Sequence, residues 1–187
     1  MKNIGKNIVY KEDKNELYIE IKPTYDKNKY NLALIWFIAW SFCGVMVVAS
    51  WIFYDMNRDQ KLFILVFMVF WAYFEYQVMQ ALRWRKSGLE KVKITNGKMH
   101  YVKEISGRGL EKIYDTHTLS NLFYQADANE GFFNILNQSN WMPGNEVLEF
   151  KAADKKRRIG IQLNKNDAEL LANKINSYIQ KNNLKTT

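Results

Sequence analysis

Glu75 is the only acid in an otherwise apolar run, residues 62–82 (LFILVFMVFWAYFEYQVMQAL). A carboxyl in that setting can relay a proton, hold an ion or join two helices. Burying a charge in hydrocarbon costs on the order of 2.5–3.5 kcal/mol, so such groups are usually paired. If the preceding apolar run packs antiparallel to this one, Trp40 and Ser41 lie at its depth. The plainer expectation is therefore a carboxyl hydrogen-bonded to the Ser41 hydroxyl or the Trp40 indole. One acid without a basic partner makes a poor transport path.

A second group is Lys151, Lys155, Lys156, Arg157 and Arg158. A turn at Asp154-Lys155 would set Lys151 opposite Arg158, and like charges directly opposite destabilise a hairpin. That cost points to an anionic counterpart such as lipid headgroups, at roughly 1 kcal/mol per basic residue. The alternative is a solvated turn partly neutralised by Glu149 and Asp154. Trp141 and Met142, in the polar loop 137–145 (NQSNWMPGN), can dip into a bilayer interface, meet a partner or fold back as a lid. His100 is expected opposite Lys93 on a polar strand face, and His117 can share a face with Asp115. Cys43 is the sole cysteine, which leaves neither a disulfide framework nor a metal-ligand set. No glycine-rich phosphate loop or catalytic constellation occurs, so neither a cofactor nor an enzymatic activity is expected. Nucleic acid is not expected either, since no recognition motif is present.

The elements that must carry these residues fall into three parts. Residues 32–54 (LALIWFIAWSFCGVMVVASWIFY) hold no charge, and the polar segment DMNRDQK separates them from 62–82. At ~1.5 Å per residue the first run reaches roughly 34 Å as a helix, enough for a ~30 Å hydrocarbon core. Residues 32–82 are thus expected to form a transmembrane helical hairpin. The mean hydropathy of −0.36 averages this stretch against polar flanks. The net charge of +8 gathers at its outer ends. Lys22, Lys27 and Lys29 precede the hairpin, and Arg83, Arg85 and Lys86 follow it. By the positive-inside rule both termini are cytoplasmic. Trp36 and Trp84 near the inner ends, with Trp51 and Tyr54 near the outer, fit aromatic belts.

Residues 1–31 read as a cytoplasmic β-hairpin segment, with 7–11 and 16–22 flanking a polar turn and Leu17, Ile19 and Ile21 alternating with polar residues. Residues 83–187 read as a β-rich cytoplasmic domain. Asn96-Gly97 is a two-residue hairpin turn that sets Ile94 opposite Met99 and Val92 opposite Tyr101. Further strands are expected at 110–117, 119–126 and 132–136. A second hairpin pairs 147–153 with 156–163. Asn164 caps a helix over 165–181, with Ala168, Leu171, Ile175 and Tyr178 along one stripe.

These hairpins and the helix 166–180 together resemble a pleckstrin-homology-type (PH-like) domain. Behind a two-helix hairpin they are similar to bacterial membrane-anchored PH-like proteins. The resemblance covers residues 88–183 and rests on pattern. It implies a membrane α+β protein whose antiparallel β-barrel or sandwich is capped by the C-terminal helix, in a bacterial plasma (inner) membrane. The basic Lys-x-n-Arg-x-Arg motif of phosphoinositide-binding PH domains is replaced here by a minimal Asn-Gly turn, so phosphoinositide recognition is not implied.

The functional expectation is a non-enzymatic membrane-anchored scaffold or accessory subunit. Its partners would be the lipid bilayer and another membrane or cytoplasmic protein, and the aromatic spans also permit self-association. The alternative is a ligand-gated membrane effector, whose barrel binds a small anionic ligand and oligomerises the spans. A barrel lined only by apolar side chains would exclude that alternative.

Overall fold

The computed structural model describes residues 1–125 and 144–183. The strand expected at 132–136, and Trp141 and Met142 after it, lie outside them. Three strands come first: β1 (Lys2–Ile4), β2 (Ile8–Glu12) and β3 (Glu16–Ile21). Two long helices follow, α1 (Lys27–Phe53) and α2 (Arg58–Ser87). The chain then forms β4 (Gly88–Thr95), β5 (Lys98–Ile105), β6 (Arg108–Asp115), a 3₁₀ turn (Thr116–Thr118) and the short β7 (Phe123–Tyr124). It ends with β8 (Glu146–Ala152), β9 (Lys155–Ile161) and α3 (Lys165–Asn183).

The first six strands form one antiparallel sheet in chain order. Its central joint is β3 against β4, which pairs Glu16 with Thr95 through to Ile21 with Glu90. The whole α1–α2 hairpin is therefore inserted between two neighbouring strands. Alternation sets the inner face: Leu17, Ile19 and Ile21 of β3 lie beside Val92 and Ile94 of β4, with Met99 and Tyr101 of β5, all buried. The Asn-Gly turn has the geometry expected of it, with both residues at positive φ (49° and 71°) and Ile94 opposite Met99.

A second sheet, β7-β8-β9, contributes Leu148, Phe150 and Ile159 to the same core. The α3 stripe joins it, with Ala168, Leu171 and Ile175 fully buried and Tyr178 nearly so. Burying Leu171 and Ile175 is worth about 1.5–3 kcal/mol each. Asn164 caps α3 through its side-chain oxygen, which accepts from the Asp167 N–H at 2.8 Å.

Of two expectations about the β region, one is met in part and the other is corrected. Among the described residues the strands form two separate sheets and no closed barrel, because β3 occupies the second edge of β4 and β6 ends its sheet. The second hairpin turns at Ala153-Asp154, both at positive φ, one residue earlier than expected. Lys151 therefore pairs with Lys156, and Arg158 sits opposite Glu149. Displacing the pairing by two residues keeps the same side chains on the inner face, so apolar alternation alone cannot distinguish the two registers.

Both long helices are long and apolar enough to cross a membrane, and little of either apolar run is buried within the chain. Ile35, Ile38, Phe42 and Val45 of α1 stand exposed, as do Leu65, Val69 and Phe70 of α2. Asp26 caps α1 by accepting from the Asn28 and Lys29 N–H groups. Asn57 and Gln60 form a capping box at the start of α2. Both helices run past the apolar segments at the ends nearest the sheet, and α2 passes directly into β4.

Candidate functional site

Between the two helices, the expected polar contact forms. The Ser41 hydroxyl donates to the Glu75 carboxyl and also lies 2.8 Å from the Phe37 carbonyl. Trp40 is near but plays a different part. Its indole stacks on Trp36 at 5.1 Å, and its carbonyl accepts from the Trp71 indole at 3.1 Å. Gly44 makes that approach possible: a Cβ there would fall 2.2 Å from the Trp71 ring. The seam continues toward the sheet through Ala33, Val78 and Leu82. Small residues on one helix face thus admit large or polar ones from the other, a packing pattern for helices in lipid.

The basic cluster is spread around the β8–β9 hairpin. Arg158 pairs with Glu149 at 3.0 Å and Lys156 lies 3.5 Å from the same carboxylate. Burial works against charge on Glu149, but the Arg158 hydrogen bond and the Lys156 charge outweigh it and hold the carboxyl below its usual range. Lys151, Lys155 and Arg157 are exposed. His100 lies opposite Lys93, as expected, and its Nδ1 is 2.9 Å from Glu111. The His117 backbone N–H donates to Asp115, and among the described residues no group of three metal-ligating side chains occurs.

Two features were not anticipated. The first is Glu90, fully buried on the inner face of β4. Its carboxyl accepts from the Gly160 N–H (2.8 Å), the Ile161 N–H (2.7 Å) and the Tyr101 hydroxyl (2.9 Å), which ties β4 to β9 across the two sheets. Nearby Glu146 is held above the usual carboxylate range by burial. Lys103 at 3.7 Å opposes that shift and Glu90 adds to it. The clue in the sequence was an acid in phase with Val92 and Ile94, at a position facing the core.

The second is the joint between helices and sheet. Trp84, expected in an aromatic belt, is instead buried, because Gly88 closes against its ring and Lys103 lies over it at 5.1 Å. Beside this plug a groove of about 450 Å³ opens where β3 leaves the sheet and α2 enters it. Lys22, Tyr25, Arg85, Lys86 and Ser87 line it. Arg85 is almost fully buried, whereas Lys22 and Lys86 are exposed. The groove exists because pairing of β3 with β4 brings Lys22 beside the end of α2. Chemically it offers three cations and no acid among its lining residues. No family model, curated protein or solved structure matches this chain.

Proposed function

We propose that this chain is a non-enzymatic, membrane-anchored scaffold or accessory subunit. In this reading α1 and α2 cross the plasma membrane of a bacterium as a hairpin, with both termini cytoplasmic and residues 55–61 outside. The sheets and α3, which keep the sequence pattern of a PH-like domain, are held against the cytoplasmic leaflet for a protein partner or an anionic lipid surface. The observation that carries this reading is the joint. The chain returns from α2 into β4 with no linker, and β4 pairs with the strand that leads into α1. A tether needs only a flexible tail, whereas this joint fixes the orientation of the domain. The exposed apolar flanks of both helices support the membrane assignment, since a soluble core helix would be covered.

The ligand-gated alternative is disfavoured by the filled space between the sheets. Leu17, Ile19, Met99, Leu148 and Phe150 occupy it, and its buried charge is acidic Glu90. An anionic ligand would meet repulsion there.

Two measurements test the reading. Single cysteines at Asp55 and Lys98, in a Cys43→Ser background, should be labelled from outside and from inside respectively. A Gly-Ser insertion after Ser87 should leave the chain inserted while releasing the partner that the intact chain retains in mild detergent. Retention unaffected by the insertion would refute fixed presentation.

A further inference from the structure

We infer that the groove at the helix–sheet joint is a binding site for the phosphate of an anionic phospholipid, an inference that rests on the membrane reading above. Depth is the first argument. The apolar run of α2 ends at Leu82, and Arg85 to Ser87 follow three to five residues later. At ~1.5 Å per residue they lie roughly 5–8 Å beyond the hydrocarbon edge. The headgroup layer occupies about 5–8 Å on each side of the core, so groove and headgroup share one level.

Charge is the second argument. Lys22 approaches from β3, and Arg85 and Lys86 approach from α2, with no acid among the groove's lining residues. These cations come from chain segments more than sixty positions apart, brought together by the β3–β4 ladder. The two exposed lysines, Lys22 and Lys86, supply point charges at the rim, above the almost fully buried Arg85.

Shape is the third. A volume of about 450 Å³ falls within the range of small-ligand sites. Ser87 adds a hydroxyl to the lining, which lies 2.8 Å from that of Ser106 and donates to the Arg83 carbonyl at 3.0 Å. Tyr25 packs on Tyr30 at 5.6 Å, an aromatic pair suited to the interface at the groove mouth. The apolar flanks of α1 and α2 begin directly beyond, where acyl chains would lie. A soluble phosphate ester would use the cations but not those flanks, so the lipid is the occupant proposed.

Native mass spectrometry of the full chain, reconstituted with phosphatidylcholine and phosphatidylglycerol and then released into mild detergent, tests the assignment. The expected result is one retained phosphatidylglycerol per chain. The paired change Lys22→Gln with Lys86→Gln should lower its occupancy at least tenfold. Lys27→Gln with Arg83→Gln removes the same charge near the same level outside the groove and should leave occupancy within twofold. Both pairs alter exposed side chains, so folding is preserved. Equal loss in the two pairs would reduce the effect to diffuse attraction and overturn the site. So would equal retention of phosphatidylcholine. Displacement of the lipid by inorganic phosphate would assign the groove to a soluble anion and overturn the lipid. Extraction of the chain by alkaline carbonate would remove the membrane reading and this site together, whereas a chain that stays inserted without headgroup preference removes the site alone.

Discussion

Replacing Glu90 probes what holds the two sheets together. One carboxyl oxygen accepts from the Ile161 N–H, and the other accepts from the Gly160 N–H and the Tyr101 hydroxyl, all at 2.7–2.9 Å in a fully buried setting. In Glu90→Gln one of these oxygens becomes an NH₂ group, so one backbone N–H of β9 faces a donor. The Tyr101 hydroxyl can rotate away, but the backbone cannot. A buried donor without a partner costs about 1–3 kcal/mol, and that is the expected loss. Glu90→Ala strips the acceptor from all three donors, which gives roughly 3–9 kcal/mol on the same scale. That is a large share of the ~5–15 kcal/mol that keeps a domain folded. Tyr101→Phe leaves the carboxylate with both N–H groups and should cost only about 1 kcal/mol. Urea unfolding of the full chain in detergent micelles, followed by the fluorescence of buried Trp84, measures all three. The reasoning fails if Glu90→Gln lies within about 0.5 kcal/mol of the wild type, or if Tyr101→Phe costs more than Glu90→Gln.

Glu75→Gln should leave stability and partner retention unchanged, because the amide can donate to the Ser41 hydroxyl and free it for the Phe37 carbonyl. Loss of function in a folded, inserted variant would make the carboxyl itself the working group. The Glu12 carboxylate meets Lys174 at 2.6 Å and links β2 to α3. The Lys174 hydrogen bond lowers the Glu12 pKa, so the stabilisation is complete above the ordinary carboxylate range and disappears as pH falls through the depressed value. Both side chains are partly exposed, so Lys174→Gln should cost only about 0.5 kcal/mol at pH 7 and nothing near pH 2, read from denaturation midpoints across pH. A fragment of residues 88–187 should stay insoluble unless residues 1–22 are supplied, because without β3 the apolar β4 edge and half the inner face are open. Truncation before Asn164 should leave the domain molten even with residues 1–22 present, as shown by loss of a cooperative melt.

What could be read from the sequence was local. The Asn96-Gly97 turn, the alternation through Leu17, Ile19 and Ile21, and the α3 stripe each depend on neighbours a few positions away. So does the depth match between Ser41 and Glu75, once the two apolar runs are set antiparallel. The Ala153-Asp154 turn escaped because alanine carries no preference for positive φ, and Asp154-Lys155 looked as good. The Glu90 clamp escaped because two of its three partners are backbone N–H groups, which no side-chain pattern marks. The groove escaped for a topological reason. Lys22 and Arg85 read as flanks of a hairpin, and only a ladder spanning that hairpin brings them together.

That ladder also imposes an order of events on the growing chain. β2 and β3 are synthesised first, yet the edge that completes them is β4, which appears only after both long helices have been made. Closing a loop of that length from an open chain would cost roughly 4 kcal/mol in chain entropy. If the helices cross a bilayer as proposed, their antiparallel packing there brings the two ends together and removes most of that cost in advance. A chain whose hairpin fails to settle keeps an unpaired strand edge, the kind of surface on which chains aggregate. On the proposed membrane reading, the sheets and α3 finish folding only after the helical hairpin has reached its place.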